Sequence, residues 1–248
     1  MDVVILAGGR NERLRGIVPP FMKPLLVVNG QCLLVNAARL ACEAAGRTNR
    51  VIVVTAPQNT LQISEVLQDA GLADSVDLVV QPAPRGPGDA LLRAFKMVGT
   101  KNTLILLGDN SLSRQDVETI YLQGDSTVDE RLVAGCQLRL DGGEFFTRFC
   151  ENGDIIEGTP GGRWADGYYR IWVGPLVVPT NTMEDLLRPI DPGSEELKIG
   201  KFLGRLNLMP SLVQVSSEDV GTPQWLIQAE RPTLDIKKVV LNGHGIPA

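Results

Sequence analysis

Two glycines directly after an apolar segment are the first feature of the sequence that points to chemistry. Gly8 and Gly9 follow the apolar residues 3–7. Without a Cβ in the way, their backbone N–H groups can face a concavity and form an anion-binding nest. Arg13 follows shortly afterwards, and Lys23 lies near the end of the same loop. Arginine binds phosphate oxygens as a bidentate fork and lysine binds them as a compact charge. These residue types predict a site for a phosphorylated ligand.

Two acidic residues lie where they can hold a metal ion beside such a ligand. Asp109 follows the apolar strand predicted at 103–107, and Asp219 lies between a predicted strand and a predicted helix. Carboxylate oxygens are ligands of Mg²⁺, and substrate phosphates commonly complete its coordination. A turn or helix-capping role is the alternative for either residue. If both carboxylates face one site, they would make a Mg²⁺ site that substrate phosphates complete.

The scarcity of other reactive residues excludes several chemistries. The sequence contains one histidine, His244, which lies close to the last residue. A multi-histidine metal site is therefore excluded, and a Ser-His-Asp triad is disfavoured. The four cysteines form no CxxC pair, so we expect reduced thiols rather than a zinc site or a disulfide scaffold. The Gly8-Gly9 segment has neither the Walker A pattern nor the dinucleotide GxGxxG pattern.

Composition and charge restrict the class of protein. The chain has 248 residues, of which 44% are hydrophobic and 21% charged, and its formal net charge is −5. This composition can bury a large core. The acidic balance argues against a nucleic-acid partner. No apolar run approaches the ~18–20 residues of a membrane span, and residues 1–6 lack the basic region of a signal peptide. We therefore expect a cytoplasmic protein without nucleic-acid or membrane partners.

Strand and helix patterns alternate through the first half of the chain. Apolar strands are predicted at 3–7, 50–55, 76–81 and 103–107. Amphipathic helices are predicted at 34–45, 61–70, 90–98 and from Ser113 onward. Such alternation is typical of a parallel sheet covered by helices on both faces, which binds ligands at the carboxyl ends of its strands.

The pattern changes after residue 127. Shorter strands are predicted at 132–138, 144–149, 169–178 and 212–216, together with a helix near 195–206. Because no linker, internal repeat or low-complexity segment interrupts the sequence, we expect a single domain over residues 1–248. Its second half would add a mixed sheet to the parallel one.

One connection is far longer than usual. About twenty residues, 8–28, separate the first strand from the first helix, whereas such loops commonly have ~2–6 residues. Besides Arg13 and Lys23, this loop carries Arg10 and Arg15, against the single acid Glu12. A long basic loop at the carboxyl end of a strand predicts an anionic ligand there.

These segments, in their order and spacing, resemble the sugar-1-phosphate nucleotidyltransferases, and within them most closely the glucose-1-phosphate thymidylyltransferases. The segments that carry the resemblance are Leu6-Ala7-Gly8-Gly9, Arg13-Leu14, Lys23-Pro24-Leu25-Leu26, Gly108-Asp109-Asn110 and Asp219-Val220-Gly221-Thr222. Two further segments are similar to that subgroup, Gln81-Pro82-Ala83-Pro84-Arg85-Gly86 and Glu195-Glu196-Leu197-Lys198-Ile199.

The resemblance implies a Rossmann-like α/β fold, a mixed and mostly parallel sheet flanked by helices. It implies formation of a nucleotide-sugar and pyrophosphate from an NTP, dTTP or UTP favoured, and a sugar 1-phosphate, with Mg²⁺ as cofactor. The nucleotide-binding half would span about 1–125 and the acceptor-binding half about 126–230. By position, the implied roles are catalysis for Arg13 and Lys23, nucleotide binding for Leu6, Gly8, Gly9, Gln81 and Gly86, acceptor binding for Glu157 and Gly174, and metal binding for Asp109 and Asp219.

The reaction chemistry agrees with these residue types. A sugar phosphate is already an anionic nucleophile at neutral pH, so its attack on the α-phosphorus needs no general base. Catalysis then consists of positioning and charge neutralisation, which cations and Mg²⁺ supply. The lack of a usable histidine is therefore no obstacle.

The sequence departs from the family pattern at two places. The glycine-rich loop contains Asn11 and Glu12 where the family has Gly-Thr; Asn11 can adopt the left-handed conformation, but Glu12 brings a negative charge towards phosphates. The family's Glu-Lys-Pro segment is replaced by 158–160, Gly-Thr-Pro, preceded by Glu157. Two alternatives follow: a catalytically silent nucleotide or sugar-nucleotide sensor, and a transferase with a non-sugar phosphorylated acceptor.

Overall fold

The computed structural model describes residues 1–126, 129–139, 147–150, 155–156, 169–188, 198–216, 218–220 and 233–234. Its α-helices are α1 (Leu33–Ala45), α2 (Thr60–Asp69), α3 (Pro87–Phe95), α4 (Arg114–Gly124), α5 (Thr180–Leu187) and α6 (Gly200–Leu203). Its strands in the first half are β1 (Asp2–Leu6), β2 (Leu26–Val28), β3 (Gln31–Cys32), β4 (Val51–Thr55), β5 (Asp77–Val80), β6 (Asn102–Leu107) and β7 (Asn110–Ser111). Those in the second half are β8 (Val133–Arg139), β9 (Arg148–Phe149), β10 (Ile155–Ile156), β11 (Tyr169–Pro179), β12 (Ser211–Gln214), β13 (Glu218–Asp219) and β14 (Thr233–Leu234).

The first strand lies at the centre of the main sheet. β1 pairs in parallel with β4 on one side and with β6 on the other, so that Val4 lies between Ile52 and Ile105. β5 continues the parallel part beyond β4. On the other side β11 pairs antiparallel to β6, β8 and β9. The carboxyl ends of β1, β4 and β6 therefore meet at one edge of the sheet.

Alternate side chains of the central strands enter two separate cores. Val3 and Ile5 contribute to the core beneath α1 and α4, with Ala37, Ala41 and Ile120. Val4 and Leu6 contribute to the opposite core beneath α3 and α5, with Leu91, Ala94 and Met183. A strand buried on both faces needs an unbroken apolar sequence, which is why residues 3–6 contain no polar side chain.

The structure confirms the predicted Rossmann-like mixed sheet flanked by helices. The predicted strands and helices of the first half lie within a few residues of their observed bounds. The long loop is more structured than predicted, since it contains 3₁₀ helices at Glu12–Leu14 and Lys23–Leu25, followed by β2.

The second half differs more from the prediction. Helix α5 follows β11 without an intervening loop and was not predicted. Of the helix predicted near 195–206, the described part contains only α6; residues 189–197 lie outside the described residues, as do 140–146 at the start of the strand predicted at 144–149. None of the described helices combines the length and the apolar character needed to cross a membrane.

Candidate functional site

A cavity of about 540 Å³ opens at the carboxyl ends of β1 and β6, beside the amino end of α3. The predicted site residues that line it come from four separate segments of the chain: Leu6, Gly8, Gly9, Arg13, Lys23, Gln81, Gly86 and Asp109. This edge is where parallel α/β sheets bind their ligands. The fold therefore gathers eight of the residues singled out from the sequence around one open space.

The two loop glycines have different surroundings. A Cβ on Gly8 would lie 3.3 Å from the backbone N of Ala56, closer than side chains normally approach a backbone atom. A Cβ on Gly9 would meet no atom within 4 Å. A side chain at Gly8 would thus need the backbone at the end of β4 to move by a few tenths of an ångström, whereas Gly9 leaves space open at the cavity wall.

The start of the basic loop turns at Asn11. This residue has φ 61° and ψ 35°, the left-handed conformation expected for it, and begins the 3₁₀ helix Glu12–Leu14. Its side-chain Nδ2 donates to the carbonyl of Pro19 at 3.1 Å. The turn places both Glu12 and Arg13 at the cavity, so one acidic and one basic side chain stand side by side there.

A buried asparagine joins the two ends of the loop. Asn59 is fully buried, and its Nδ2 donates to the carbonyls of Ala7 and Phe21, each at 2.8 Å. Its Oδ1 accepts from the backbone N of Ala56 at 2.9 Å. Phe21 has φ 65°, an uncommon conformation for a residue with a side chain. Asn59 therefore holds the segment before Gly8 and the segment before Lys23 in a fixed relation.

Lys23 and Asp109 form an ion pair at the cavity. The Nζ of Lys23 lies 2.9 Å from Oδ2 of Asp109, and the lysine side chain is 4% exposed against 28% for the aspartate. A buried ammonium group requires an anionic or polar partner. The carboxylate at the end of β6 supplies one, while its remaining exposure leaves it accessible from the cavity.

The side chain of Gln81 is held from behind. Its Nε2 donates to the carbonyl of Gly86 at 3.0 Å and to Oδ2 of Asp89 at 2.9 Å. Asp89 in turn accepts from Nε of Arg93 at 3.1 Å. Gln81 is buried, with 4% of its surface exposed, and it lines the cavity. The amide is therefore anchored by the first turn of α3.

The structure also brings the backbone of Asp219 to this edge. β13 pairs antiparallel with β7, which sets Asp219 opposite Asn110, the neighbour of Asp109. The sequence prediction placed Asp219 after a strand; it lies within one. Gly174 lies in an irregularity of β11 between Trp172 and Leu176 and does not line the cavity. Glu157 lies outside the described residues.

Carboxylate and amide oxygens of the kind that coordinate a hard divalent cation lie at this edge of the sheet. The carboxylate of Asp109 borders the cavity, and the pairing of β13 with β7 brings the backbone of Asp219 beside it. Asn110 is 1% exposed and its Nδ2 donates to the carbonyl of Val173 at 2.8 Å. Its Oδ1 is buried without a hydrogen-bond partner among the described residues. Carboxylate and amide oxygens suit Mg²⁺.

Three of the residues that shape the site were not assigned roles from the sequence: Asn59, Asp89 and Asn110. Asn110 adjoins Asp109 in the Gly-Asp-Asn segment, which was a usable signal. Asp89 lies directly before the helix predicted at 90–98 and four residues from Arg93, a spacing that also fits an ordinary surface ion pair. Nothing in the sequence around Asn59 indicates its contacts, because they depend on the path of the loop.

Comparison with known proteins identifies the class. Residues 3–137 match the family described as MobA-like NTP transferase domain, which is more than half of the chain, and the chain belongs to that family. The resemblance to sugar-1-phosphate nucleotidyltransferases is confirmed by the individual relatives. A glucose-1-phosphate thymidylyltransferase of Neisseria meningitidis is 31% identical over 140 residues, which cover 56% of this chain and 48% of the relative. The bifunctional protein GlmU of Azotobacter vinelandii is 25% identical over 197 residues, which cover 71% of this chain and 40% of GlmU.

The chain thus spans about half the length, or less, of these relatives.

Solved structures show the same fold over more of the chain. A putative glucose-1-phosphate thymidylyltransferase from Bacillus anthracis, in complex with a sucrose, superposes with a TM-score of 0.75 at 20% identity, covering 100% of this chain and 98% of its own. HddC from Yersinia pseudotuberculosis, complexed with GMP-PN, superposes with a TM-score of 0.68 at 19% identity. The superposition covers 92% of this chain and 97% of HddC.

Proposed function

We propose that the protein is a sugar-1-phosphate nucleotidyltransferase, which joins the nucleotidyl group of an NTP to a sugar 1-phosphate and releases pyrophosphate. The observation that carries this proposal is the common cavity lined by the loop residues 8–14, Lys23, Gln81 and Asp109. Membership of the NTP transferase family and the thymidylyltransferase relatives support it. The first half, about 1–125, would bind the nucleotide, and the second half, about 126–230, the acceptor.

The residues of the cavity provide what such a transfer requires. Gly9 and the neighbouring backbone leave room for phosphate oxygens at the start of the basic loop. Lys23 and Arg13 supply positive charge, which stabilises the phosphates as charge shifts towards the leaving pyrophosphate. The acceptor phosphate is already anionic, so no side chain needs to remove a proton from it. Orientation of the two substrates is then the main contribution of the chain.

Mg²⁺ is the cofactor that these residues would hold. Asp109 and Asp219 are the proposed ligands, and when bound the ion neutralises phosphate charge and activates the α-phosphorus towards attack. The ion pair orients the Asp109 carboxylate towards Lys23, and the aspartate side chain stays 28% exposed.

For the nucleotide we propose dTTP or UTP. Gln81 and Gly86 border the cavity at the positions that resemble the base-reading segment of thymidylyltransferases. Glu157 and Gly174 are proposed acceptor contacts by the same resemblance. The guanine nucleotide bound to HddC makes GTP a necessary comparison in the test.

The proposal is tested by pyrophosphate release. Each of dTTP, UTP, GTP, CTP and ATP is combined with Mg²⁺ and a panel of hexose, heptose and aminohexose 1-phosphates, with glycerol phosphate and phosphocholine as non-sugar acceptors. Release that depends on a sugar 1-phosphate, with a nucleotide-sugar found by mass spectrometry, supports the proposal. Release only with a non-sugar acceptor replaces it by the related transferase, and no release with any pair refutes it.

A matched pair of variants locates the activity at this cavity. Asp109→Asn should lower turnover at saturating Mg²⁺ by about 100-fold or more, because it removes a charge that balances both the metal and Lys23. Asp74→Asn is the control, since Asp74 is exposed and lies before the amino end of β5, whereas the cavity lies at the carboxyl ends of the strands. Unchanged turnover in Asp109→Asn would show that the metal assignment is wrong.

A second candidate, a nucleotide or sugar-nucleotide sensor without catalysis, is favoured by one observation. Glu12 lines the cavity, where its negative charge opposes phosphate binding. The sensor predicts nucleotide binding without pyrophosphate release. The double variant Asn11→Gly with Glu12→Thr restores the family's loop residues. A gain of activity from an inactive parent would support a silent site, whereas an active parent would exclude it.

A further inference from the structure

We propose that Asp89 determines which bases the site accepts, by holding the amide of Gln81 in one orientation. In that orientation the cavity presents a hydrogen-bond acceptor and selects bases whose Watson–Crick edge carries a ring N–H. Asp89 is a positioning residue in this role. The inference rests on the proposed function, in which Gln81 contacts the base. It adds the class of base that the Gln81 amide selects.

The orientation of the amide follows from the chemistry of its partners. One end of the Gln81 amide contacts the carbonyl oxygen of Gly86 and a carboxylate oxygen of Asp89, at 3.0 and 2.9 Å. Both partners only accept hydrogen bonds, since the carboxylate is ion-paired with Arg93. The end that faces them must therefore be the NH₂ group, and its two hydrogens are both used.

The other end of the amide is consequently the oxygen, Oε1. Oε1 lies beside Gly8, 3.4 Å from the position that a Cβ on that residue would occupy. Gln81 and Gly8 line the same cavity. With the NH₂ group held in this way, a hydrogen bond from Gln81 to a ligand in the cavity is one that Oε1 accepts, and reversing the amide would break two hydrogen bonds at once.

This polarity divides the nucleobases into two groups. Uracil and thymine carry N3–H, and guanine carries N1–H, so each can donate to Oε1 from its Watson–Crick edge. Cytosine N3 and adenine N1 carry a lone pair at the same place, which would face the lone pairs of Oε1. A buried acceptor without a donor is costly, so the site should bind UTP better than CTP, and GTP better than ATP.

Asp89 also has an ordinary structural role that the test must separate. It lies in the first turn of α3, where a negative charge is favourable, and forms an i, i+4 ion pair with Arg93. Loss of that role would weaken the helix and lower the affinity for all nucleotides alike. Loss of the positioning role would instead change the ratio between nucleotides.

The experiment measures dissociation constants of UTP, CTP, GTP and ATP by calorimetry, with Mg²⁺ and without an acceptor. Three proteins are compared: the wild type, Asp89→Ala, and Arg93→Gln. Both variants break the ion pair, but only Asp89→Ala releases the Gln81 amide. Thermal melts of each protein show that all are folded at the temperature of measurement.

For the wild type we expect UTP to bind about tenfold more tightly than CTP or better, the scale of one well-formed base contact. Asp89→Ala should reduce this ratio to about threefold or less, with UTP weakened and CTP unchanged or improved, because one of the two anchors of the amide is lost. Arg93→Gln should keep the ratio within about twofold of the wild type, since the Asp89–Gln81 bond remains.

Three results would overturn the inference: a wild type that binds CTP as well as UTP, an Asp89→Ala variant that weakens both nucleotides equally, and the absence of nucleotide binding. A different result would refute the transferase proposal. Selective binding that responds to Asp89→Ala, without pyrophosphate release for any acceptor, would refute the transferase and leave the role of Asp89 in place.

Discussion

Lys23 and Asp109 neutralise each other across the cavity, with Nζ and Oδ2 at 2.9 Å. They come from distant segments, the end of the basic loop and the end of β6. The Lys23 side chain is 4% exposed and has little access to water, so Asp109 balances its charge. In the proposed reaction the nucleotide's phosphates would offer the lysine a second anion, and the same lysine would then bridge the carboxylate and the ligand.

Replacing Lys23 should therefore impair function more than folding. Lys23→Met retains the length of the side chain and removes its charge; we expect kcat/KM to fall by about 100- to 1,000-fold, the usual loss when one donor to the reacting group is removed. Asp109, being partly exposed, keeps its hydration, so the melting temperature should change little. Pyrophosphate release and thermal melts measure the two effects.

The control for that variant is Lys96→Met, which removes an exposed charge at the end of α3. It should leave both readouts unchanged. Equal losses in Lys23→Met and Lys96→Met would mean that net charge, rather than the cation at the cavity, governs the rate.

The two loop glycines should respond to alanine in opposite ways. Gly8→Ala places a methyl group 3.3 Å from backbone atoms of residues 55 and 56, and such overpacking costs about 1–3 kcal/mol of folding free energy. Gly9→Ala meets no atom within 4 Å, so its stability should match the wild type while its nucleotide affinity falls, because the methyl group occupies ligand space. Urea unfolding and calorimetry separate the two; a Gly9→Ala variant with full affinity would place the phosphates elsewhere.

Asn59 should be one of the most sensitive polar residues for stability. Asn59→Ala leaves the carbonyls of Ala7 and Phe21 without their donor, and each buried group left unpaired costs about 1–3 kcal/mol. We expect a loss of at least about 2 kcal/mol in urea unfolding. Asn49→Ala is the control: Asn49 donates to the last turn of α1 from a half-exposed position and should cost less. A smaller loss in Asn59→Ala than in Asn49→Ala would contradict the role of Asn59 in the loop.

Stability should fall at alkaline pH, in part through Cys136. Burial raises the pKa of the Cys136 thiol from 9.0 to about 12, against an opposing effect of Arg170. Above pH 9 the unfolded chain loses this proton while the folded chain keeps it, so the contribution is complete below pH 9 and is lost as the pH rises towards 12. In urea unfolding from pH 8 to 11, Cys136→Ala should show a shallower decline than the wild type.

The comparison between the two proteins is needed because Tyr121 titrates in the same sense. Burial, followed by Asp125 and Asp2, raises its pKa to about 12. This contribution is common to both proteins and cancels in the difference. Identical slopes for the wild type and Cys136→Ala would contradict a buried neutral thiol.

Most of the parallel half of the fold could be predicted because its signal is local. Residues 3–6 and 51–55 are uninterrupted apolar strands, and the apolar residues of α1 recur at helical spacing, so each element is identified without its partners. Once the strands are parallel, their carboxyl ends must share one edge, and the residues after them become neighbours. That reasoning predicts Gly8 and Asp109 at one edge, whereas the role of Gln81 was implied only by the family resemblance.

The remaining features depend on contacts that leave no local pattern. The pairing of β13 with β7 joins two strands of two residues each from distant segments, too short for an alternating pattern. The hydrogen bonds of Asn59 depend on the path of the loop, and the orientation of Gln81 depends on an aspartate in the first turn of α3. Such contacts are set by tertiary packing, which sequence periodicity does not encode.

The position of β1 has a consequence for folding kinetics. The central strand of the sheet precedes both of its neighbours in the chain, since Val4 pairs with Ile52 of β4 and with Ile105 of β6. During synthesis these apolar residues emerge long before the second of their partners exists. Contacts between residues so far apart in sequence slow folding, and the exposed apolar strand is prone to aggregation in the meantime. The strand that leads into Gly8 and Gly9 is thus the first to be made and among the last to be enclosed.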